Sequence, residues 1–260
     1  MPETWTAKDV RVRRVNRGAA DDAIRAWHYS HMPYVKSVVH FGVFLGDGLV
    51  GALQLGDPLD IHHTEAIFVD PQRDEYIELN RMALSEEAPR CSESRALAVV
   101  VRLLRRERPR LQWIISYADA TQCGDGTIYR AAGWLLTQVR RNTTLYRTPI
   151  GVVSDVGVRT SARLRRVLDC DGSAAGLRAA GERLPGYQVR YIMPMRPGAR
   201  ERLRCEILPY DHITPARMVR GLACAGEASP PTPSGEDVRP DPHARRRQMR
   251  LAHTGWLWED

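Results

Sequence analysis

Three stretches of the chain hold side chains whose type and position can do chemistry. The first is His28-Tyr29-Ser30-His31, where two imidazoles flank a phenol and a hydroxyl at the end of a helical pattern. There the His28 imidazole can complement the negative end of the helix dipole, and His31 can either ligate or stand in water. The second is Arg90-Cys91-Ser92-Glu93-Ser94-Arg95, which opens another helical pattern. Free N–H groups, a positive dipole end and the donors Ser92, Ser94 and Arg95 suit an anion, although the same residues also make an ordinary capped helix start. The third is Asp119, which follows an apolar run at the place where α/β sheets present groups to ligands; with Thr121 and Gly124 nearby it can equally cap a loop. The adjacent pair His62-His63 carries less weight, because neighbouring side chains point different ways on most backbones. Cys91, Cys123, Cys170, Cys205 and Cys224 are scattered without a CxxC pair, so they read as free thiols rather than a disulfide framework or zinc knuckle.

Hydrophobic patterning supplies the elements that must position these groups. Residues 10–15 predict a strand, and 19–27 a helix whose Asp21 and Asp22 suit its N-terminal end. The apolar runs 38–44 and 49–55, rich in β formers and split by Gly46-Asp47-Gly48, predict an antiparallel hairpin. Residues 76–84 read as a strand. In 92–106 the residues Ala96, Val99, Val100, Leu103 and Leu104 mark one buried helix face. The run 111–117 predicts a strand covered on both sides. A short helix over 127–132, ended by Gly133, and strands over 134–139 and 144–147 follow, the last with the option of a hairpin. Further on, 161–168 and 173–183 read as short helices and 187–195 as an alternating strand.

The chain has 260 residues, 43% of them hydrophobic and 27% charged, which excludes a wholly disordered or collagen-like protein. No stretch approaches the roughly 18 apolar residues of a membrane span, and the start MPETWTAKDVRVRR lacks the core of a secretory signal, so an intracellular protein without a membrane partner is expected. The net charge is +7 and nearly all cations are arginine, with only Lys8 and Lys36 as lysines. Arginine pairs bidentately with phosphate and guanine, which suits nucleic acid. On the helix over 92–106, Arg102, Arg105 and Arg106 are candidates to contact DNA, or else its solvated face. Residues 226–248 are rich in proline, serine and charge and read as a linker or tail.

The strand ending near Ser116 and followed by Ile128-Tyr129-Arg130-Ala131-Ala132-Gly133-Trp134 resembles the acyltransferase-like fold of the GNAT superfamily. That likeness implies an α/β fold with a mixed central sheet flanked by helices, here with a C-terminal extension. It also implies a Tyr129 that either protonates a leaving thiolate or packs on the sheet. The usual glycine-rich pyrophosphate loop is replaced by Arg90-Cys91-Ser92-Glu93-Ser94-Arg95. A narrower resemblance rests on His28-Tyr29-Ser30, Phe41-Gly42-Val43, Leu49-Val50-Gly51, Glu78-Leu79-Asn80-Arg81, Cys91-Ser92-Glu93-Ser94-Arg95, Ser116-Tyr117-Ala118-Asp119 and Gly126-Thr127-Ile128-Tyr129-Arg130-Ala131. In this order and spacing the set is similar to the phage Mom family, whose members convert adenine in duplex DNA to a carbamoylmethyl-adenine and so shield phage genomes from restriction.

The resemblance covers roughly residues 10–150, with 187–210 similar to the family's later strand and tail. Composition alone makes 225–260 a disordered basic tail, while the resemblance implies a catalytic core over 1–150 and core-completing strands with a variable extension over 151–224. It implies a transferase acting on double-stranded DNA in the cytoplasm of an infected host bacterium, with a homodimer admitted. By position the catalytic residues fall on His28, Tyr29, Asp119 and Tyr129. The family's Arg81 and Ser94 join Ser92 and Arg95 as the expected cofactor-binding set, for acyl-CoA or another activated donor. Iron is the implied metal, with His28 and Asp119 as its ligands; imidazole, carboxylate and phenolate suit iron(II) or iron(III). Two alternatives stay open: a GNAT-type acyltransferase acting on another amine, and a non-catalytic nucleic-acid-binding module.

Overall fold

The computed structural model describes residues 5–121 and 124–213. Its elements run β1 (Arg11–Arg14), α1 (Arg17–Trp27), β2 (Ser37–Leu45), β3 (Gly48–Gly56), α2 (Ile61–Glu65), β4 (Tyr76–Leu84), α3 (Ser92–Glu107), β5 (Trp113–Asp119) and α4 (Thr127–Ala131). They continue with β6 (Leu135–Arg141), β7 (Leu145–Thr148), β8 (Gly151–Ser154), α5 (Asp155–Thr160), α6 (Ala162–Leu168), α7 (Ala174–Ala180), β9 (Glu182–Arg183) and β10 (Tyr187–Pro194).

The hairpin β2–β3 turns at Gly46, whose φ of +55° is open to glycine at little cost. Both strands are nearly continuous apolar runs because both faces of the sheet are covered. Ala20 and Ala23 of α1 pack on Ala52 on one side. On the other, Ala96, Leu97, Val100 and Leu104 of α3 pack with Phe41, Val43, Leu53 and Leu55. The seven strands lie in the order β1-β2-β3-β4-β5-β10-β6. This is the mixed sheet flanked by helices that the residue patterns and the resemblance implied.

One junction in that sheet shapes everything around it. Strands β4 and β5 run parallel and pair from Tyr76↔Trp113 to Leu79↔Ser116, where their ladder stops. Beyond it β4 stays on β3 as far as Leu84, and β5 stays on β10 as far as Asp119. The two strands therefore part, each held only by its outer neighbour. A bulge adds to the opening: Leu79 pairs with Leu55 and Arg81 with Gln54, leaving Asn80 as the extra residue.

Some expectations change. The strand over 144–147 forms no hairpin with β6; it is β7, central in a separate sheet ordered β8-β7-β9 and packed on Val158 and Leu177 through Tyr146. The place beside β6 goes to β10, which pairs seven residues with β5 and six with β6 and so offers a longer ladder than the four residues of β7. Helices α2 and α5 and strand β8 carry no periodic signal long enough to predict them. The expected tail over 225–260, with Arg245, Arg246 and Arg247, lies outside the described residues. Among the described residues no helix is long and apolar enough to cross a membrane.

Gly126 anchors the entry to α4. Its φ is +78°, and a Cβ there would meet the Tyr191 ring at 2.4 Å and the Tyr129 ring at 3.0 Å. Gly124 has a similar φ of +92° but open space around it. Gly126→Ala therefore costs left-handed strain plus a clash, about 2 kcal/mol or more, whereas Gly124→Ala costs only strain, about 1 kcal/mol. Urea unfolding of the two variants checks the order; equal losses would mean that Tyr191 does not press on this turn.

Candidate functional site

Where β4 and β5 part there is a cavity of about 700 Å³, of the size that holds small-molecule ligands. Its walls are the β4 segment from Glu78 to Leu84, the β5 segment from Ser116 to Asp119, and the turn and first residues of α4 from Gly124 to Tyr129. His28 and Tyr29 from the end of α1, Leu59 and Asp60 before α2, His63 and Thr64 of α2, Glu93 of α3, and Arg140 and Gln188 complete it. The structure thus brings His28, Tyr29, Arg81, Asp119 and Tyr129, distant in sequence, to one cavity.

His28 ends α1 as its C-cap, with its backbone N–H on the Ile24 carbonyl and its ring buried. Nδ1 accepts the Ser30 backbone N–H at 3.1 Å and lies 2.8 Å from Ser30 Oγ. An amide N–H can only donate, so the neutral ring carries its proton on Nε2. Burial, helped by the Arg81 charge and by His31, holds the imidazole down at about 4, so it is neutral at neutral pH. Tyr29 stands against it with ring centroids 4.3 Å apart and is itself 45% exposed, open to stack on a planar group. His31 is turned away, its Nδ1–H donated to the Arg25 carbonyl at 2.8 Å.

Arg81 holds the segment after α1 in place: Nε donates to the Met32 carbonyl at 3.0 Å and Nη1 to the Asn80 carbonyl at 2.7 Å. Asp119 does both things expected of it, lining the cavity while its Oδ1 accepts the Thr121 backbone N–H at 2.9 Å and the Asn142 side-chain amide at 3.2 Å. Tyr129 is likewise both packed and polar. Its ring lies 5.1 Å from Tyr191 and 5.2 Å from Trp134. Its hydroxyl is 2.8 Å from Ser116 Oγ, which gives its one hydrogen to the Leu79 carbonyl at 3.1 Å, so the phenol donates to the serine. The chain phenol, serine, carbonyl ends on the last rung between β4 and β5.

Of the expected donor-binding set only Arg81 lines the cavity; Ser92, Ser94 and Arg95 lie apart from it, and the start of α3 reaches the wall through Glu93. Ser92 is fully buried, and its backbone N–H and its Oγ both go to the Pro89 carbonyl. Ser94 gives its hydroxyl to the Cys91 carbonyl, Arg95 is exposed, and α3 starts without a side-chain cap. Arg102 and Arg106 are exposed on α3, while Arg105 donates to the Met195 and Pro194 carbonyls at 3.1 and 3.2 Å. Among the described residues no three His, Cys, Asp or Glu side chains gather as a metal-holding group. Among the described residues His28 and Asp119 have no third such ligand, and the one lone pair of the neutral His28 ring is engaged by Ser30. The described residues do not fit the implied iron.

Sequence reasoning missed Glu78 and Asn80, which it treated only as spelling within the Glu78-Leu79-Asn80-Arg81 motif, and gave little weight to His63. Alternation along β4 would point only every second residue to one face; the bulge at Asn80, which brings neighbouring residues to the cavity, has no signature in the sequence. Glu78 is the most perturbed carboxyl of the site: burial pushes it up to about 7 against the opposing pull of the Asn80 amide, the Leu59 N–H and Arg81.

The two buried groups set opposite pH trends. Between about 6.5 and 4 the unfolded chain binds a proton that folded His28 refuses, so His28 makes stability fall as pH drops through that window. Glu78, raised above its ordinary value, makes stability fall as pH rises toward 7. In a comparison of wild type with His28→Gln the Glu78 contribution is common to both. From pH 7 to pH 4 the wild type should lose about 3 kcal/mol more than the variant in chemical denaturation. Parallel pH profiles would place His28 in water rather than in the wall.

The chain matches the Mom protein family over residues 9–212. Over 131 residues it is 36% identical to the methylcarbamoylase mom of Escherichia phage Mu, a stretch that makes up 50% of this chain and 54% of that protein. The chain thus spans about half the length of the curated relative it matches. Among solved structures, it is similar to a GNAT family acetyltransferase from Elizabethkingia anophelis with acetyl-CoA bound, at 11% identity, a TM-score of 0.40 and coverage of 72% of this chain and 98% of that one. It is also similar to the Drosophila melanogaster polyamine N acetyltransferase, at 11% identity, a TM-score of 0.43 and coverage of 72% and 100%. With the family matched from β1 through the end of the described residues, the chain belongs to the Mom protein family.

Proposed function

We propose that this protein is a phage DNA-modification transferase that places a carbamoylmethyl-type group on the N6 amine of adenine in duplex DNA and so protects the DNA from restriction in the infected host's cytoplasm. The observation that carries this reading is the convergence of His28, Tyr29, Arg81, Asp119 and Tyr129 on the cavity between the parted strands, in a chain of the Mom family. Membership with a relative named methylcarbamoylase supports the group transferred.

The adenine N6 amine is conjugated to its ring and is a poor nucleophile, so the base must leave the stack to meet an activated donor. A cavity of about 700 Å³ has room for a base beside a donor's reactive end. Exposed Tyr29 at its wall gives the extruded base a ring to stack on, which offsets part of the few kcal/mol that unstacking costs. Arg102 and Arg106, exposed on α3, are placed to meet phosphates, as the +7 charge of the chain also favours. The donor is an activated compound whose methylene carbon is the electrophile when a carbamoylmethyl group is transferred; an acyl-CoA would instead join the amine through its carbonyl carbon and leave an amide. Its anionic part takes the uncapped start of α3 with Ser94 and Arg95, and Ser92 supports that turn from inside. Its extended part lies along the unpaired inner edges of β4 and β5. As the new N–C bond forms, the donor's leaving group departs with the bonding pair and takes its proton from the Tyr129 hydroxyl, which turns from Ser116.

Digestion of DNA from cells with and without the protein, followed by mass spectrometry of the nucleosides, tests the reading. A new adenine adduct is expected; an adduct on a pyrimidine would make this an acyltransferase for another amine, and no adduct would refute DNA modification. Tyr129→Phe keeps the stacking on Tyr191 and Trp134 and loses only the hydroxyl. It should change stability by less than about 1 kcal/mol and lower the modified fraction by about 10²-fold or more. Full modification by Tyr129→Phe would leave Tyr129 as a packing residue only.

A further inference from the structure

Glu78 and Asn80 sit on either side of the last shared rung, on the β4 wall of the cavity, and have no part in the roles assigned so far. Among the described residues Glu78 forms no salt bridge at 4.0 Å or less. Its carboxylate is met instead by the Asn80 side-chain amide and, at 3.4 Å, by the Leu59 backbone N–H. Arg81, the cation whose charge acts on it, forms no salt bridge with it and gives Nε to the Met32 carbonyl and Nη1 to the Asn80 carbonyl. Asn80 is 8% exposed; its Nδ2 reaches the Asp57 carbonyl at 3.2 Å, while its Oδ1 is buried with no hydrogen-bond partner. An unmatched acceptor inside a protein is costly unless a ligand supplies the donor. Two acceptors two residues apart on one cavity wall ask for a group with two N–H hydrogens.

Resting on the reading above, we propose that Glu78 and Asn80 form the subsite for the nucleophilic amine, Asn80 Oδ1 accepting one N–H and the Glu78 carboxylate taking the other proton as the bond to the donor forms. The balance is complete: the amine nitrogen bonds to the donor's electrophilic carbon, the bond from that carbon to its leaving group breaks, and the amine's proton ends on Glu78. The co-reactant is the activated donor, whose leaving group is protonated by Tyr129. A carboxyl near 7 accepts a proton readily at neutral pH yet releases it again to solvent after each cycle. The groups coupled to Glu78 are Arg81, Tyr117 and Tyr34; the other walls carry His28, Tyr29, Asp60, His63, Glu93, Asp119, Asp125, Tyr129 and Arg140.

The test uses the full chain, with Glu78→Gln and Asn80→Ala compared to wild type for nucleoside adducts. Glu78→Gln should lower the modified fraction by about 10²-fold or more, and abolish the rise of the wild-type rate between pH 6 and 8. It should unfold at pH 8 no earlier than wild type, because an ionised buried carboxylate has been removed. Asn80→Ala should weaken binding of a duplex containing adenine more than it lowers the maximal rate. Wild-type levels of adduct from Glu78→Gln would overturn the subsite while leaving the reading of function intact. An adduct on another base that Glu78→Gln abolishes would keep the subsite and overturn the choice of adenine. Independently of turnover, the Asn80 side-chain amide NMR signal should move on addition of the adenine-containing duplex, and an unmoved signal would overturn the subsite.

Discussion

The parting of two parallel strands is the constraint on which the site depends. Parallel pairing of β4 and β5 lasts only from Tyr76↔Trp113 to Leu79↔Ser116, and after that rung each strand keeps a single neighbour. A buried sheet normally leaves no such gap, since unpaired backbone groups away from water are costly. Here the gap stays open because β3 holds β4 and β10 holds β5 along their outer edges. The polar closure from Tyr129 through Ser116 to Leu79 marks where pairing ends and the cavity begins. Glu78, Asn80, Arg81, Tyr117 and Asp119 acquire their surroundings from this one event.

Helices then bring the remaining groups to the opening. The C-terminus of α1 delivers His28 and Tyr29, and α1 is fixed by small residues: Ala20 and Ala23 let it approach Ala52 of β3 closely. The segment after α1 is tied back by Arg81 on Met32. On the far side Gly126 lets the turn pass over the Tyr191 ring, so that α4 can set Tyr129 against Tyr191 and Trp134. Tyr191 is itself held by its hydroxyl on the Asp125 carbonyl at 2.7 Å, which pins β10 to the α4 turn. Low-dielectric walls leave His28 neutral and raise Glu78, so these groups hold a state other than the one water would impose.

Much of this was legible from residue patterns, and the exceptions have a common cause. Strand β4 and helix α3 lie where their periodicity placed them, within one residue, because each buries a regular apolar face. The motifs around His28 and Asp119 fall at the ends of predicted elements and that of Tyr129 within a predicted short helix, and the resemblance joins the three as a set. Where a residue's role depends on an irregularity or on a distant partner, the sequence is silent. Asn80 sits in a bulge defined only by its register with β3; Ser92 is turned inward by Pro89; and β7 leaves β6 because β10, some forty residues later, competes for the same edge. Iron ligation by His28 and Asp119 follows from the resemblance alone; ligation needs a free lone pair and a third neighbour, and among the described residues no third His, Cys, Asp or Glu joins them.

In the proposed reaction the amine lies at the β4 wall, where the strands part. A crystal structure of the full chain bound to an adenine-containing duplex tests that placement most directly. It should hold one adenine outside the stack, against Tyr29, with N6 within hydrogen-bond distance of Glu78 and of Asn80 Oδ1. An adenine seated elsewhere, or a duplex bound with this cavity facing away from every base, would contradict it.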